Sequence, residues 1–231
     1  MEIRHLEFAE GAARATGVAV IIDVFRAFTT ACYLYHQGVR EVLVTGDPRL
    51  AFAHREKDPQ GTILVGERNE KKIEGFDMGN SPSEVLRHDL HGKVAVLTTS
   101  AGTRGIMQAV KATRILAAAF VNAGATARFL RKIRPPAVSL VAMGYNAVTP
   151  ADEDRLCARY IEDLLRNRKS DLARMERIIR QGTGRRFFDP SNMNSPEEDY
   201  YLAMETDRFP YVLEALPSAT RGLLLLKKSE A

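Results

Sequence analysis

The first two-thirds of the chain alternates near-continuous apolar, largely β-branched runs with amphipathic stretches, and this limits the fold more than any other feature. Val18–Val24 (VAVIIDV) reads as a buried strand, followed by a helix-like stretch from about Arg26 to Gln37 that Gly38 stops. Further strands are expected at Glu41–Thr45, Thr62–Val65, Val94–Thr98, Arg114–Ala118 and Val138–Ala142. Helical patterns lie between them at about Pro48–Lys57, Pro82–Asp89, Gly102–Lys111, Ala123–Lys132 and Ala151–Arg166. A strand covered on both faces has no polar side to alternate with, so such runs separated by helices mark a largely parallel sheet. The expected fold class is α/β, a three-layer α/β/α sandwich with a mainly parallel sheet.

After Arg168 the pattern changes. A basic helical segment runs to about Gln181 and meets a turn-rich region, Gly182–Pro196. Tyr200–Met204 and Tyr211–Leu216 read as short helices, and Gly222–Leu226 as a last strand. No repeat and no long polar linker divides the chain, so the expectation is one domain over 1–231 with a C-terminal helical elaboration from about 169.

Composition narrows the function classes. With 231 residues, 45% hydrophobic and 27% charged, the chain has the apolar content to offset its ordering entropy and is not a disordered one. Two cysteines, Cys32 and Cys157, are too few for a disulfide framework or a cysteine-rich zinc module, and they read as small core residues. The first residues carry Glu2, Arg4, Glu7 and Glu10 rather than a signal-peptide run, and no apolar stretch approaches the ~20 residues a bilayer span needs. A cytoplasmic protein with no membrane partner is expected. The pI of 9.1 comes from Arg155–Arg186, where ten basic residues face four acidic ones. That segment reads as a solvated helical face. Its aromatics do not interleave with the charges as a stacking platform would, so no nucleic-acid partner is expected. A homodimer stays open.

In an open parallel sheet, ligands bind beyond the carboxyl ends of the strands. Asp23, Arg26 and Thr29 follow the first strand, and Glu67 and Arg68 follow the third and lead to Asp77, Asn80 and Ser81. Thr99, Ser100, Gly102, Thr103 and Arg104 follow the fourth, Asn122 the fifth, and Gly144 and Asp152-Glu153-Asp154 the sixth. Three arginines near one rim imply an anionic ligand, because a guanidinium makes bidentate bonds to phosphate, carboxylate or sulfonate. Thr98–Arg104, a strand, a hydroxyl-and-glycine loop and a helix start, suits a phosphate. The nearby carboxylates are either ion-pair partners or ligands of a hard cation such as Mg²⁺. Ser81 and Pro82 form a helix start, and Asp152–Asp154 favour a helix dipole.

Several phosphate chemistries lack their signatures. Asp23 is followed two positions on by Phe25 rather than a second Asp, Cys32 and Cys157 reach Gly38 and Asp163 rather than Arg, and neither a P-loop nor an Arg-His-Gly is present. The histidines (His5, His36, His54, His88, His91) lack metal-ligand spacing.

The series VIIDVFRAFTTA, LVGERN, GFDMGNSP, VLTTSAGTRG, AAFVN and DEDRLCARYIEDLL, in this order, resembles the 2-phosphosulfolactate phosphatase family from about Val18 to Leu165. The resemblance continues more weakly through Phe187–Pro190 and Asp207–Phe209. It implies Mg²⁺-dependent hydrolysis of 2-phospho-3-sulfolactate, a small anionic substrate, and a place in coenzyme M biosynthesis where that pathway exists. Asp23, Arg26, Glu67 and Arg104 are then the catalytic candidates. Arg68, Asn80, Ser81, Thr99, Ser100, Gly102, Thr103 and Asn122 are candidates for substrate binding. Asp23, Glu67, Asp77, Glu153 and Asp154 are candidates for the metal. Attack by metal-activated water and attack by a carboxylate such as Asp23 both remain open. A phosphatase of another small polyanion and a non-catalytic anion-binding module on the same fold are the alternatives.

Overall fold

The computed structural model describes all 231 residues. The chain opens with β1 (Glu2–Glu7), α1 (Phe8–Arg14), β2 (Val18–Ile22), α2 (Ala27–His36), β3 (Glu41–Val44), α3 (Pro48–Arg55) and β4 (Thr62–Arg68). It continues with β5 (Lys71–Lys72), α4 (Pro82–Val85), β6 (Val94–Thr98), α5 (Gly102–Gln108), β7 (Arg114–Ala118), α6 (Ala123–Ile133) and β8 (Ala137–Ala142). The last elements are α7 (Asp152–Leu165), α8 (Leu172–Gln181), α9 (Glu197–Met204), β9 (Tyr211–Pro217) and β10 (Leu224–Glu230).

The ten strands form one sheet in the order β1-β8-β2-β7-β9-β10-β3-β6-β4-β5. Two parallel blocks, β1-β8-β2-β7 and β3-β6-β4, account for most of it. The antiparallel hairpin β9–β10 joins them, with β9 pairing β7 and β10 pairing β3. Every residue of β2 and of β6 is buried, as continuous apolar strands require when helices cover both faces. The molecule is an α/β protein consistent with the three-layer α/β/α sandwich, and no helix is long and apolar enough to cross a membrane.

The expected helix starts are present. Ser81 accepts from Glu84 N with Pro82 at the first helical position, and Asp47 caps α3 in the same way ahead of Pro48. The C-terminal elaboration departs from the expectation of helices. Tyr211–Leu216 is not a helix but most of β9, in the middle of the sheet. The difference has a physical cause in Glu214, whose charge is met only by a partner far away in the chain. It is buried against Arg114, whose guanidinium donates to both its oxygens at 2.6 and 2.7 Å from a strand 100 residues earlier. The strand β1 and helix α1 precede the first run that the apolar pattern marks; β1 is an edge strand, largely exposed, so it has no continuous apolar signature.

The strands β4 and β6 run side by side to the same edge of the sheet, and their register is set by close backbone packing. Gly66 pairs with Thr98, and a Cβ on Gly66 would lie 2.0 Å from the Thr98 carbonyl oxygen. Backbone cannot yield that distance, so β4 would have to leave its register. Gly66→Ala is expected to destabilise the protein by about 3 kcal/mol or more, read from urea unfolding; a loss within ~0.5 kcal/mol would show that the strands separate without cost.

Candidate active site

Asp23 lies one residue past β2 and turns back onto the start of α2, where its Oδ1 accepts from Ala27 N at 3.1 Å. The strand ends and the loops after β4, β6 and β8 meet it there. Together they line a small polar pocket that holds Asp23, Arg26, Glu67, Glu70, Asn80, Ser100, Asn146 and Arg186, with Phe25 and Tyr145 beside them. Glu67 is fixed by the loop after β6: Ser100 N donates to its Oε1 at 2.6 Å and Ser100 Oγ to its Oε2 at 3.0 Å. Glu70 N adds a third bond to Oε2 at 2.9 Å. Asn80 is buried with its Oδ1 unpartnered.

Gly102 has to be glycine in this arrangement, since a Cβ there would lie 2.7 Å from Asp23 Oδ2 and 2.7 Å from Ala27 Cβ. Burial, helped by the charges of Glu67 and Glu153, pushes the Asp23 carboxyl up to about 7. Behind it, Asp154 accepts from Val24 N and Gly144 N, each at 2.8 Å, tying the exits of β2 and β8 together. Asp154 is also held well above the usual carboxylate range, by burial first and then by Glu153 and Asp23. Glu153 accepts from Thr183 Oγ1, and its carboxyl is raised by burial although Arg186 opposes this.

Arg26 is buried and fully committed on one side. Its Nη1 donates to Asp199 Oδ2 at 2.5 Å and its Nη2 to the Asn194 carbonyl at 2.8 Å. Asp199, wholly buried, also accepts at Oδ1 from Ser81 Oγ at 2.9 Å and Ser83 N at 2.8 Å. One carboxylate from α9 therefore orients the pocket arginine and the start of α4. Arg186 approaches from the turn after α8, 3.2 Å from Glu70 Oε1, with its guanidinium over the rings of Phe25 and Phe187.

The remaining candidates lie elsewhere. Arg68, Arg104 and Thr99 line an adjoining recess rather than this pocket. Thr99 and Thr103 are spent on each other, Thr99 N donating to Thr103 Oγ1 at 3.0 Å and Thr103 N to Thr99 Oγ1 at 3.2 Å, so this loop caps itself. Asn122 accepts from Ala119 N and donates to the Ala117 carbonyl, closing the turn after β7. Ser81 serves Asp199 and α4. Asp77 lies outside the pocket: it accepts from Leu64 N at 2.7 Å, is half exposed, and pairs with Arg55. No three carboxylate, imidazole or thiol side chains form a set able to hold a metal by themselves. Apart from Glu70, which pairs with Arg186, the pocket's carboxylates are Asp23 and Glu67, beside one unpartnered amide oxygen, and Mg²⁺ commonly takes no more than one or two carboxylates from a protein.

Sequence reasoning missed Glu70, Tyr145, Asn146 and Arg186, which line the pocket, and Asp199, which holds Arg26 from behind. Asp199 ends an acidic trio at the start of α9 and reads as a dipole residue. Arg186 is hidden in the basic segment, most of whose other charges are solvent-facing or paired: Arg155 with Glu7, and Arg159, Arg166 and Arg168 with Glu162 or Asp163.

A mixed sheet whose strand ends bring carboxylates and guanidinium groups into one polar pocket defines a class of anion-handling α/β proteins. The match to known proteins is specific: the chain belongs to the 2-phosphosulpholactate phosphatase family, whose model covers residues 6–189. A relative from Deinococcus radiodurans is 37% identical over 171 residues, 72% of this chain and 71% of its own length. One from Synechococcus sp. (strain WH7803) is 34% identical over 68% of this chain and 64% of its own. One from Thermosynechococcus vestitus is 37% identical over 61% and 57%. All three carry the name "Probable 2-phosphosulfolactate phosphatase". The match thus spans from just over half to about seven-tenths of their lengths.

The site's electrostatics set two measurable outcomes. Removing the carboxylate in Asp199→Ala leaves Arg26 buried without its counter-charge and is expected to cost about 3–5 kcal/mol in urea unfolding. The double variant with Arg26→Met should regain much of that loss; no recovery would mean that the pair is not the source. Asp23 gives a pH signature in metal-free protein. Between about pH 4 and pH 7 its carboxyl is protonated when folded and ionised when unfolded, so stability falls as pH rises through that window and is level above it. Asp23→Asn should therefore exceed the wild type in stability by on the order of 4 kcal/mol at pH 8 and only slightly near pH 4; an equal gap at both would remove burial of the charge as its cause.

Proposed function

We propose that the chain is a phosphoric monoester hydrolase that converts 2-phospho-3-sulfolactate and water to 3-sulfolactate and phosphate, with Mg²⁺. The observation that carries this reading is the meeting of Asp23 and Glu67 with Arg26 and Arg186 in one pocket. Family membership and the names of the relatives supply the substrate. The reading treats 1–231 as one functional unit, because the C-terminal elaboration supplies Arg186 to the pocket and Asp199 to hold Arg26. Where coenzyme M is made, such an enzyme supplies its sulfolactate intermediate.

Asp23 and Glu67 would hold the metal, with Asn80 Oδ1 as a neutral oxygen donor. The bound ion supplies positive charge to the phosphoryl oxygens and polarises the phosphorus centre. Arg26 keeps three of its five N–H donors after bonding Asp199 and Asn194, enough for the equatorial phosphoryl oxygens. Arg186, stacked on Phe25 and Phe187, presents a second guanidinium at low entropic cost. In one route Asp23 accepts a proton from the attacking water, the P–O bond to the C2 oxygen breaks, and Asp23 returns that proton to the C2 oxygen, giving the sulfolactate hydroxyl and phosphate. In the other Asp23 attacks phosphorus, the C2 oxygen leaves and takes a proton from solvent, and water then cleaves the acyl phosphate to release phosphate and restore the carboxylate.

The test is phosphate release from racemic 2-phospho-3-sulfolactate by the purified protein, with Mg²⁺ and again with EDTA. Release is expected only with the metal and should fall about 10²- to 10⁴-fold in Asp23→Asn. Release at an equal rate in EDTA would remove the metal from the reading, and no release from folded, Mg²⁺-supplied protein would remove the substrate. Labelled phosphate trapped on the enzyme would assign the attack to the carboxylate.

A further inference from the structure

We infer that the recess beside the carboxylate pocket, lined by Arg68, Arg104, Asn69 and Asn146, is a second anion subsite that takes a sulfonate or carboxylate group of the substrate that is not hydrolysed. The inference rests on the proposed phosphatase function for the substrate and on the charge layout for the site.

The recess shares Ser100 and Asn146 with the carboxylate pocket, so one small molecule can reach both. No acidic and no apolar residue lines it. The site's other two arginines are neutralised, Arg26 by Asp199 and Arg186 by Glu70. Arg68 and Arg104 have no carboxylate in ion-pair range, and no acidic residue lines the recess beside them.

Arg68 is the more telling of the two. It is half-buried, and its guanidinium is pinned by main-chain carbonyls alone, Nη1 on Glu67 O at 2.9 Å and Nη2 on Gly46 O at 2.6 Å. Withdrawing a cation from water without a contacting counter-ion is costly, and the carbonyl dipoles, with the more distant charges of Glu67 and Asp47, offset only part of it. The fold meets that cost to hold a planar fork in one orientation. Two bonds leave three N–H donors free for a ligand. Asn69 and Asn146 stand at φ 51° and 52°, in the left-handed region, and Asn146 Nδ2 reaches Asn69 Oδ1 at 3.4 Å, which fixes the opposite wall.

The charge balance points the same way. The carboxylate pocket has three acids, Asp23, Glu67 and Glu70, against two already paired arginines. Even with a divalent cation it cannot neutralise a substrate bearing phosphate, sulfonate and carboxylate. The surplus negative charge belongs where unpaired guanidinium groups wait. The recess thus acts in specificity: it holds polyanions and gives nothing to a simple phosphate monoester.

Calorimetric titration of the Mg²⁺-supplied full chain with 3-sulfolactate, and separately with inorganic phosphate, tests this directly. Arg104 is exposed, so Arg104→Ala leaves the packing alone. It should weaken 3-sulfolactate about 10- to 100-fold, the range for loss of a charge-assisted bond, and leave phosphate within about threefold. Arg68→Ala should repeat the pattern. Undiminished 3-sulfolactate binding in Arg104→Ala, equal weakening of both ligands, or no 3-sulfolactate binding by the wild type would each overturn the subsite. Failure of the phosphatase reading looks different: 3-sulfolactate binds and depends on Arg104, yet no phosphate is released from 2-phospho-3-sulfolactate.

Discussion

The helix Ala27–His36 has almost no face for water, and most of the molecule can be understood as the means of covering it. Nine of its ten residues are buried. A helix that is apolar all round must be enclosed by other elements, and strands of both parallel blocks, β3 and β6 on one side and β7 on the other, pack on it. Its polar atoms are served by the C-terminal part of the chain. Tyr33 Oη donates to Glu205 at 2.7 Å, Tyr35 Oη to the Leu226 carbonyl, and Tyr211 Oη to the Cys32 carbonyl at 2.8 Å. The last thirty-odd residues are therefore structural partners of the first core helix, and the hairpin β9–β10 fills the gap in the sheet between the two blocks.

That enclosure places the chemistry. Asp23 and Arg26 stand at the leading end of the same helix, so whatever fixes α2 fixes them. Asp199 reaches Arg26 from α9 and Asp154 reaches the strand exit from α7, each a buried carboxylate spent on main-chain and side-chain donors. Buried charge on this scale is tolerable only when every oxygen finds a donor. Where burial and neighbouring carboxylates outweigh those bonds the carboxyls hold their protons more tightly, as Asp23 and Asp154 do. The site thus separates its charges, with acids around a place suited to a cation and unpaired guanidinium groups in the adjoining recess.

Much of the site's first layer was legible in the chain. Residues just beyond apolar strands fall at the carboxyl edge of a parallel block, which is why Asp23, Arg26, Glu67, Asn80 and Ser100 converge. Sequence adjacency misled where the local backbone used the side chain first. Thr99 and Thr103 close their own turn, Asn122 closes another, and Asp77 ties its loop to β4. Spacing cannot reveal such local competition, because a side chain that caps a turn and one that binds a ligand occupy the same kind of position.

The sequence by itself determined the α/β class, the buried strands and the helix starts at Pro48 and Ser81, since these arise from local periodicity and capping chemistry. Only the tertiary structure decided that Tyr211–Pro217 is a central strand, that Asp199 orients Arg26 and that Arg186 enters the pocket. Each of these depends on a partner about a hundred residues away or more, or on a face that exists only once the sheet is assembled. Local propensity carries no record of such pairings; the energy that selects them comes from burying the apolar core around α2, while Arg114 and Arg26 offset the cost of burying Glu214 and Asp199.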